Sequence, residues 1–294
     1  MYVFFLLCFS YGYTNASPRQ ALEWAVEQGF DIISMSWTIK KNDSDNSEKG
    51  MERLKNVLST CEAKGKSLLF CSAPDIGQPS AADDYYPFGC TEVVKKFKIG
   101  AATADGSVYP WAGKEIDYIL PGENVVLRQE DQKYHQSIQN CPKTGSSVAT
   151  ALAAGLAALI IHCVKLGAIY NASKEINKDI NKGVTEKVNK GNNKDISKII
   201  KGRVSTQTLR VVKTFDVMKS AFDLIKSSGT SDDTEKRLGV EAFFARHGNL
   251  LKKMETGHES EDEKWDVIEE LARNLVPLKM EEAAVEAAAK AEGR

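Results

Sequence analysis

Between residues 17 and 165 the hydrophobic positions switch repeatedly between helical spacing and the continuous runs of buried strands. Ser17 to Gly29 opens on Ser-Pro, ends on Gly, and places Ala21, Leu22, Ala25 and Val26 on one face, which predicts an amphipathic helix. Phe30 to Trp37 follows at once as a strand. Ser47 to Lys64 predicts a second helix, with Met51, Leu54, Val57, Leu58 and Cys61 on its apolar face and Gly65 closing it. Ser67 to Ala73 is apolar almost throughout, as expected of a strand buried on both faces. Shorter strands are predicted at Lys98 to Ala102 and Asp117 to Leu120. Val148 to Val164 is apolar nearly all round, which predicts a buried helix at the domain centre. This alternation predicts an α/β fold, a parallel sheet with helices packed on it. In such sheets the ligand site lies beyond the carboxyl ends of the strands, where Ser36-Trp37 and Pro74-Asp75 fall.

The flanks have a different character. Tyr2 to Phe9 is a short apolar run followed by small residues up to Ala16, the outline of a secretory signal without its basic start. A buried strand or a misplaced start are the other readings of residues 1–16. A signal would place the protein outside the cell; otherwise a cytoplasmic location is expected. Asn171 to Lys201 is rich in Lys, Asn and Ile, which predicts a polar insertion over 170–202, disordered or weakly helical. Residues 205–228 and 235–275 predict two or three amphipathic helices, and Met280 to Lys290 a helical, poorly anchored tail. The expected division is therefore 1–16, a main domain over 17–228, and a charged helical region over 229–294.

Composition narrows the function classes. The 294 residues are 42% hydrophobic and 27% charged, enough apolar material for a sizeable core. A formal net charge of −1 supplies no field for nucleic acid or an anionic membrane. In the basic stretch, Asp179, Glu186 and Asp195 interrupt the lysines and no aromatic follows Tyr170, so no nucleic-acid partner is expected. The six cysteines form no CxxC pair and the four histidines are scattered, so no metal site is expected. Cys71 and Cys163 lie in apolar runs and read as buried thiols. Val148 to Val164 approaches spanning length, with Ala149, Ala153 and Ala157 at small-residue spacing. It is Ala-rich and ends in His162-Cys-Val-Lys165, so a core helix rather than a membrane span is expected.

The chemistry concentrates where the loop before Val148 meets that helix. Gly145 permits a tight turn, and Ser147 follows at the helix start. Unsatisfied backbone N–H groups and the positive end of the helix dipole favour negative charge there. Gly145 to Gly155 is similar to the serine motif of the subtilase family, G-T-S-x-[AS]-x-P-x-[VA]-[AS]-G. It departs at Ser146, Ala151 and Leu152, where the family usually has Thr, Pro and His. Three further regions resemble the family in order and spacing. Ala21 to Ser36 matches A-I-x-W-A-x-x-x-G-x-x-V-I-N-M-S; Gly65 to Asp75 matches G-x-L-x-V-x-A-A-G-N. Lys98 to Ala102 and Asp117 to Gly122 match V-G-A and D-V-x-A-P-G. The resemblance covers residues 19–165, with a weaker continuation over 203–228.

The resemblance implies a subtilisin-like parallel sheet with helices on both faces, lacking its N-terminal part and carrying a helical C-terminal extension. It implies a serine-type endopeptidase in which Ser147 attacks the scissile carbonyl and forms an acyl-enzyme, its own N–H helping to hold the oxyanion. Met35, Ser36, Trp37 and Thr38 would pair with an extended polypeptide substrate by β-addition, and Ser72, Ala73 and Pro74 would face them across the specificity pocket. Asp75 takes the oxyanion-hole position, usually Asn, where an ionised carboxylate has no proton to donate. The family's triad Asp and His precede the segment matched by Ala21 to Ser36, and no D-[ST]-G or H-G-T motif stands there. His247, followed by Gly248, is out of order and is expected at the surface; His135, in the loop before the serine, is also out of order. The expectation is an N-terminally truncated, nearly inactive form, with a pseudoprotease that binds extended peptides as the alternative. No cofactor is expected; the resemblance leaves the family's calcium sites possible, without assigning them to particular residues.

Overall fold

The structure is a computed structural model that describes residues 3–6, 17–41, 48–77, 79–113, 115–126, 142–185, 204–227, 236–256, 261–283 and 286. His135 and His258, Cys8 and Cys141, most of residues 1–16, and residues 186–202 of the expected insertion lie outside them.

Five strands form one parallel sheet in the order β1-β2-β4-β6-β7, comprising Val3–Leu6, Ile32–Met35, Leu68–Ser72, Phe97–Ala102 and Tyr118–Pro121. Two two-residue strands, β3 (Ile39–Lys40) and β5 (Tyr85–Tyr86), pair antiparallel beside it. β1 pairs with β2 from Val3↔Ile32 to Leu6↔Met35, so this part of residues 1–16 is a strand, one of the readings its apolar run allowed.

Helices α1 (Ser17–Gln28) and α2 (Glu48–Lys64) connect β1 to β2 and β3 to β4. Their apolar faces, Leu22 and Ala25 with Leu54, Leu58 and Cys61, join Ile33, Met35, Leu69 and Cys71 in one buried cluster. Alternate strand residues point the other way. On that side Phe70 stacks on Phe97 at 4.7 Å and 12°, with Tyr118 at 6.2 Å from Phe97. Burial on both faces is why these strands lack polar alternation.

Helix α3 (Ser146–Thr185) carries Ala149, Ala153, Ala154 and Ala157 at 0% exposure, small side chains that let a helix pack closely. Over Ser146–Lys174 it is long and apolar enough to cross a membrane, with a mean hydropathy of 2.1 and 56% of the most apolar window buried inside the protein. It continues through Thr185, across the start of the stretch expected to be a loosely structured insertion. The reason lies in its pinning: Asn171 is buried and donates to Val204 O (3.0 Å) and Glu269 Oε1 (2.9 Å), and Tyr170 stacks on Trp265 at 5.4 Å.

Two compact units result, neither contiguous in sequence. One comprises Met1–Ala158 with Ile225–Gly239 and holds the sheet; the other comprises Leu159–Leu224 with Val240–Arg294. In the second unit α4 (Thr206–Val211), most of α5 (Phe215–Ile225), α6 (Val240–Thr256) and α7 (Glu261–Leu275) supply buried residues such as Val211, Met218, Phe222, His247, Ala272 and Leu275. Ser205 caps α4 with a reciprocal Ser205–Thr208 capping box. Two expectations fail in this unit. His247 is buried at 5% exposure rather than at the surface, because it lies on the face of α6 that meets Asn274 of α7, 3.5 Å away. The chain after residue 280 is anchored at its start, where buried Glu281 accepts from Ser205 Oγ, Thr208 Oγ1 and Arg273 Nη1.

Candidate active site

The carboxyl ends of four strands converge on the first turn of α3, where a parallel sheet places its ligand site. Beyond β2, Ser36 Oγ donates to the carbonyl of Ser147 at 3.1 Å. Beyond β4, Asp75 meets Ser146. In β6, the N–H of Ala101 donates to Ser146 Oγ at 3.0 Å. Beyond β7, Gly145 N–H donates to Gly122 O at 2.7 Å. Two glycines are required for this closure. A Cβ on Gly122 would lie 2.5 Å from Ala101 Cβ, and Gly145 has φ 140, a conformation natural only to glycine.

Ser147 is exposed on this first turn, whereas Ser146 beside it is fully buried. The first N–H groups of a helix have no acceptor within it. Ser146 N–H is taken by Asp75 and Val148 N–H by Gly145 O at 3.0 Å. Among the described residues, Ser147 N–H and Oγ make no hydrogen bond, so both a donor and a hydroxyl are presented at one exposed point. A Cβ on Gly145 would lie 3.3 Å from Asp75 Oδ2 and 3.4 Å from Ser147 Oγ, which places carboxylate and hydroxyl on the same side of that residue.

Asp75 has φ 48, a left-handed conformation that Asp and Asn tolerate best among side-chain-bearing residues. Its Oδ2 accepts from Ser146 N–H at 2.6 Å and its Oδ1 from Ser146 Oγ at 2.5 Å. Burial pushes the carboxyl up from its ordinary value, while the two Ser146 donors pull it down. The net shift is upward. With both oxygens engaged as acceptors, the ionised side chain offers nothing to a developing oxyanion.

The remaining residues singled out from the sequence line the same place in different ways. Met35 and Trp37 belong to the buried cluster, and Trp37 Nε1 is buried without a partner. Ser36 and Thr38 are half-buried; Ser72 and Ala73 are buried, with Ala73 N–H bonded to Ile99 O, and Pro74 is half-buried. No histidine stands beside Ser147 among the described residues. His162 and His247 both belong to the second unit. The described residues contain no cluster of His, Cys, Asp or Glu suited to a metal ion. The four cysteines described are free and buried, and burial pushes Cys71 up to about 12.

One feature at the site is not singled out by the sequence: Ser146 is the buried partner of Asp75 and Ala101. The departure from Thr at Ser146 is the nearest clue, since either residue supplies the hydroxyl. A cavity of about 430 Å³ at the opposite, amino ends of β6 and β7 is lined by Cys90, Lys96, Lys98, Glu115 and Asp117. Buried Lys96 closes its loop there by donating to the carbonyls of Cys90 and, at 2.5 Å, Val93.

A parallel sheet whose strand ends meet an exposed serine at the head of a buried helix defines an α/β protein. Comparison places it more closely. The model of the subtilase family (Peptidase S8) matches residues 7–184, and the chain belongs to that family. The "Major intracellular serine protease" of Bacillus subtilis (strain 168) is 29% identical over 140 residues, 47% of this chain and 39% of that protein. The chain thus spans about two fifths of the length of the curated relative it matches. Among solved structures, the prenylagaramide maturation protease PagA aligns at 16% identity and TM-score 0.44 over 79% of this chain and 67% of its own. The patellamide maturation protease PatA aligns at 17% and 0.45, covering 80% and 70%. A cold-adapted subtilisin-like serine proteinase aligns at 17% and 0.39, covering 51% and 49%.

Proposed function

We propose that Ser147 is the nucleophile of a subtilisin-like serine endopeptidase. The observation that carries this reading is the exposed Ser147 hydroxyl beside its own unbonded N–H, at the point where four strand ends converge. Ser147 Oγ attacks the carbonyl carbon of the scissile peptide and its proton passes to a base. The carbonyl oxygen becomes an oxyanion within reach of Ser147 N–H. Collapse expels the amine, which leaves with the proton, and water then hydrolyses the ester. The substrate lies extended, its backbone beside Ser36 to Thr38, with Ser72 to Pro74 as the facing wall. Met35 and Trp37, with side chains in the core, serve through their main chain. The reaction needs no cofactor.

The reading requires an Asp and a His that residues 1–294 do not supply in the family's order, so it takes them from coding sequence upstream of Met1. Motifs of the D-[ST]-G and H-G-T kind there, in frame, would support this; an upstream region without them would remove the base and with it the endopeptidase. Without a base Ser147 keeps its proton and is a weak nucleophile, so the 294-residue chain is nearly inactive. Two observations favour a second reading, a peptide-binding pseudoprotease: no histidine among the described residues touches Ser147, and Asp75 faces the site as an acceptor. Labelling with a serine-directed fluorophosphonate separates the two. Stoichiometric modification of Ser147 in the native full-length product supports the endopeptidase, and its absence supports the binding protein.

A further inference from the structure

We propose that the cavity at the amino ends of β6 and β7 binds a small monocarboxylate with an apolar body, its carboxylate held by the buried ammonium of Lys96. The site lies at the end of the sheet opposite Ser147 and does not depend on the role of that serine. The cavity has a volume of about 430 Å³, and Phe88, Val93, Val94 and Ile116 form its apolar wall. Lys96 also lines it and is only 5% exposed. Its Nζ donates to the carbonyls of Cys90 and, at 2.5 Å, Val93. Both of those residues line the cavity, so the ammonium is fixed at its wall.

An ammonium has three protons to donate. Two go to these carbonyls, and among the described residues the third has no acceptor and Lys96 makes no ion pair. Carboxylates stand around the same loop, but each is engaged elsewhere. Glu62 accepts from the N–H groups of Val94 (2.8 Å) and Lys95 (2.6 Å), and Asp117 from the N–H of Lys98 at 2.8 Å. Glu115 pairs with Lys98 Nζ at 3.3 Å, and Glu92 with Lys55 at 2.5 Å. A buried charge without a counter-charge is costly. Accordingly, burial pushes the Lys96 amine below its ordinary value, and Lys98 nearby acts in the same direction. A carboxylate entering the cavity would take the third proton and supply the missing charge.

The rest of the lining sets the form of the ligand. Its hydrocarbon side chains suit an apolar body, whereas Glu115 and Asp117 on the same cavity disfavour a second negative charge. A short free acid and the free C-terminus of an apolar peptide share this chemistry.

The test titrates the 294-residue chain by calorimetry with hexanoate and with N-acetyl-leucyl-leucine, each beside its uncharged carboxamide, and with adipate. At least one acid should bind about ten- to a hundredfold more tightly than its amide, the range of a charged hydrogen bond. Adipate should bind more weakly than hexanoate. Lys96→Met should erase the advantage of acid over amide. Val94→Glu, at a rim position 76% exposed, leaves the core untouched and should weaken the acids severalfold but not the amides. Melting temperatures show which variants fold, and Val94→Glu decides the matter if Lys96→Met does not. Tighter binding of the peptide than of hexanoate would assign the carboxylate to a peptide C-terminus, and the reverse to a free acid. Acids that bind no better than their amides, or whose advantage survives in every folded variant, would overturn the inference.

Discussion

Asp75 accepts both hydrogen bonds that Ser146 can donate, from its N–H at 2.6 Å and from its hydroxyl at 2.5 Å. This pairing turns the carboxylate toward the buried serine, and in its ionised form it has no proton to donate. It also stiffens the start of α3, because Ser146 Oγ simultaneously accepts from Ala101 in the sheet. Ser146 is therefore held by β6 and by the loop after β4.

Asp75→Asn should restore an oxyanion donor. Asn tolerates the left-handed φ of 48, its Oδ1 can accept from Ser146 N–H, and its amide can donate. Removing such a donor from a subtilisin costs about 10²–10³ in turnover, so adding one here should speed fluorophosphonate labelling of Ser147 by about that factor. The second-order labelling rate of variant and parent, followed by mass spectrometry, checks it. Equal rates would mean that no oxyanion forms within reach of residue 75.

The same pair predicts a pH dependence. Burial raises the Asp75 carboxyl above its ordinary 3.8 in the folded chain, against the opposing pull of Ser146. A raised carboxyl binds its proton more tightly when folded, so its stabilising contribution is complete below the unfolded value. That contribution is lost as pH rises through the folded value. Asp75→Asn lacks this titration. Melting temperatures across the window from 3.8 upward should therefore show the parent losing ground to the variant as pH increases. A constant difference would refute the shift.

The elements of the sheet unit were readable because each is dictated locally. The runs that form α1, α2, β2, β4, β6 and β7 match the predicted segments to within a few residues, since helical period and double burial are properties of adjacent positions. The two-residue strands β3 and β5 are too short to show a period. The bonding of Ser146 is not legible in the sequence because its partners, Ala101 and Asp75, are distant along the chain. Asn171 was hidden by its lysine- and asparagine-rich surroundings, although its amide is bonded on both sides. His247 was misplaced because its burial depends on α7, a helix it does not adjoin in sequence. The motif around Ser147 predicts its place at a helix start, where the first turn of α3 holds it.

In the second unit the buried carboxylate of Glu281 ties α4 to the residues after α7. Glu281→Ala would remove an acceptor from Ser205, Thr208 and Arg273 together. Arg273 already has Nε and Nη2 buried without partners, so it would keep only the bond to Val276 O among its recorded acceptors. Leaving a partly buried charge unpaired costs about 2–4 kcal/mol. Urea unfolding should register that loss, and hydrogen exchange should report it first at residues 278–283. Unchanged protection there would mean the tail is held by its apolar contacts instead.

Ser146→Ala and Ser146→Thr separate the hydroxyl from the rest of the residue. Alanine would leave the buried Ala101 N–H without an acceptor and Asp75 with a single donor, a loss of about 1–3 kcal/mol in urea unfolding. With one donor gone, burial acts on Asp75 less opposed, so its titration should move further upward. Threonine keeps the hydroxyl and adds one methyl in a fully buried position, so it should preserve the Asp75 titration even if packing costs it some stability. The carboxyl resonance of Asp75, followed by NMR in the three chains, distinguishes the cases. A titration that moves in the threonine chain as far as in the alanine chain would show that Asp75 answers to packing rather than to the hydroxyl. Both variants keep the Ser146 N–H to Asp75, so neither should release the carboxylate entirely.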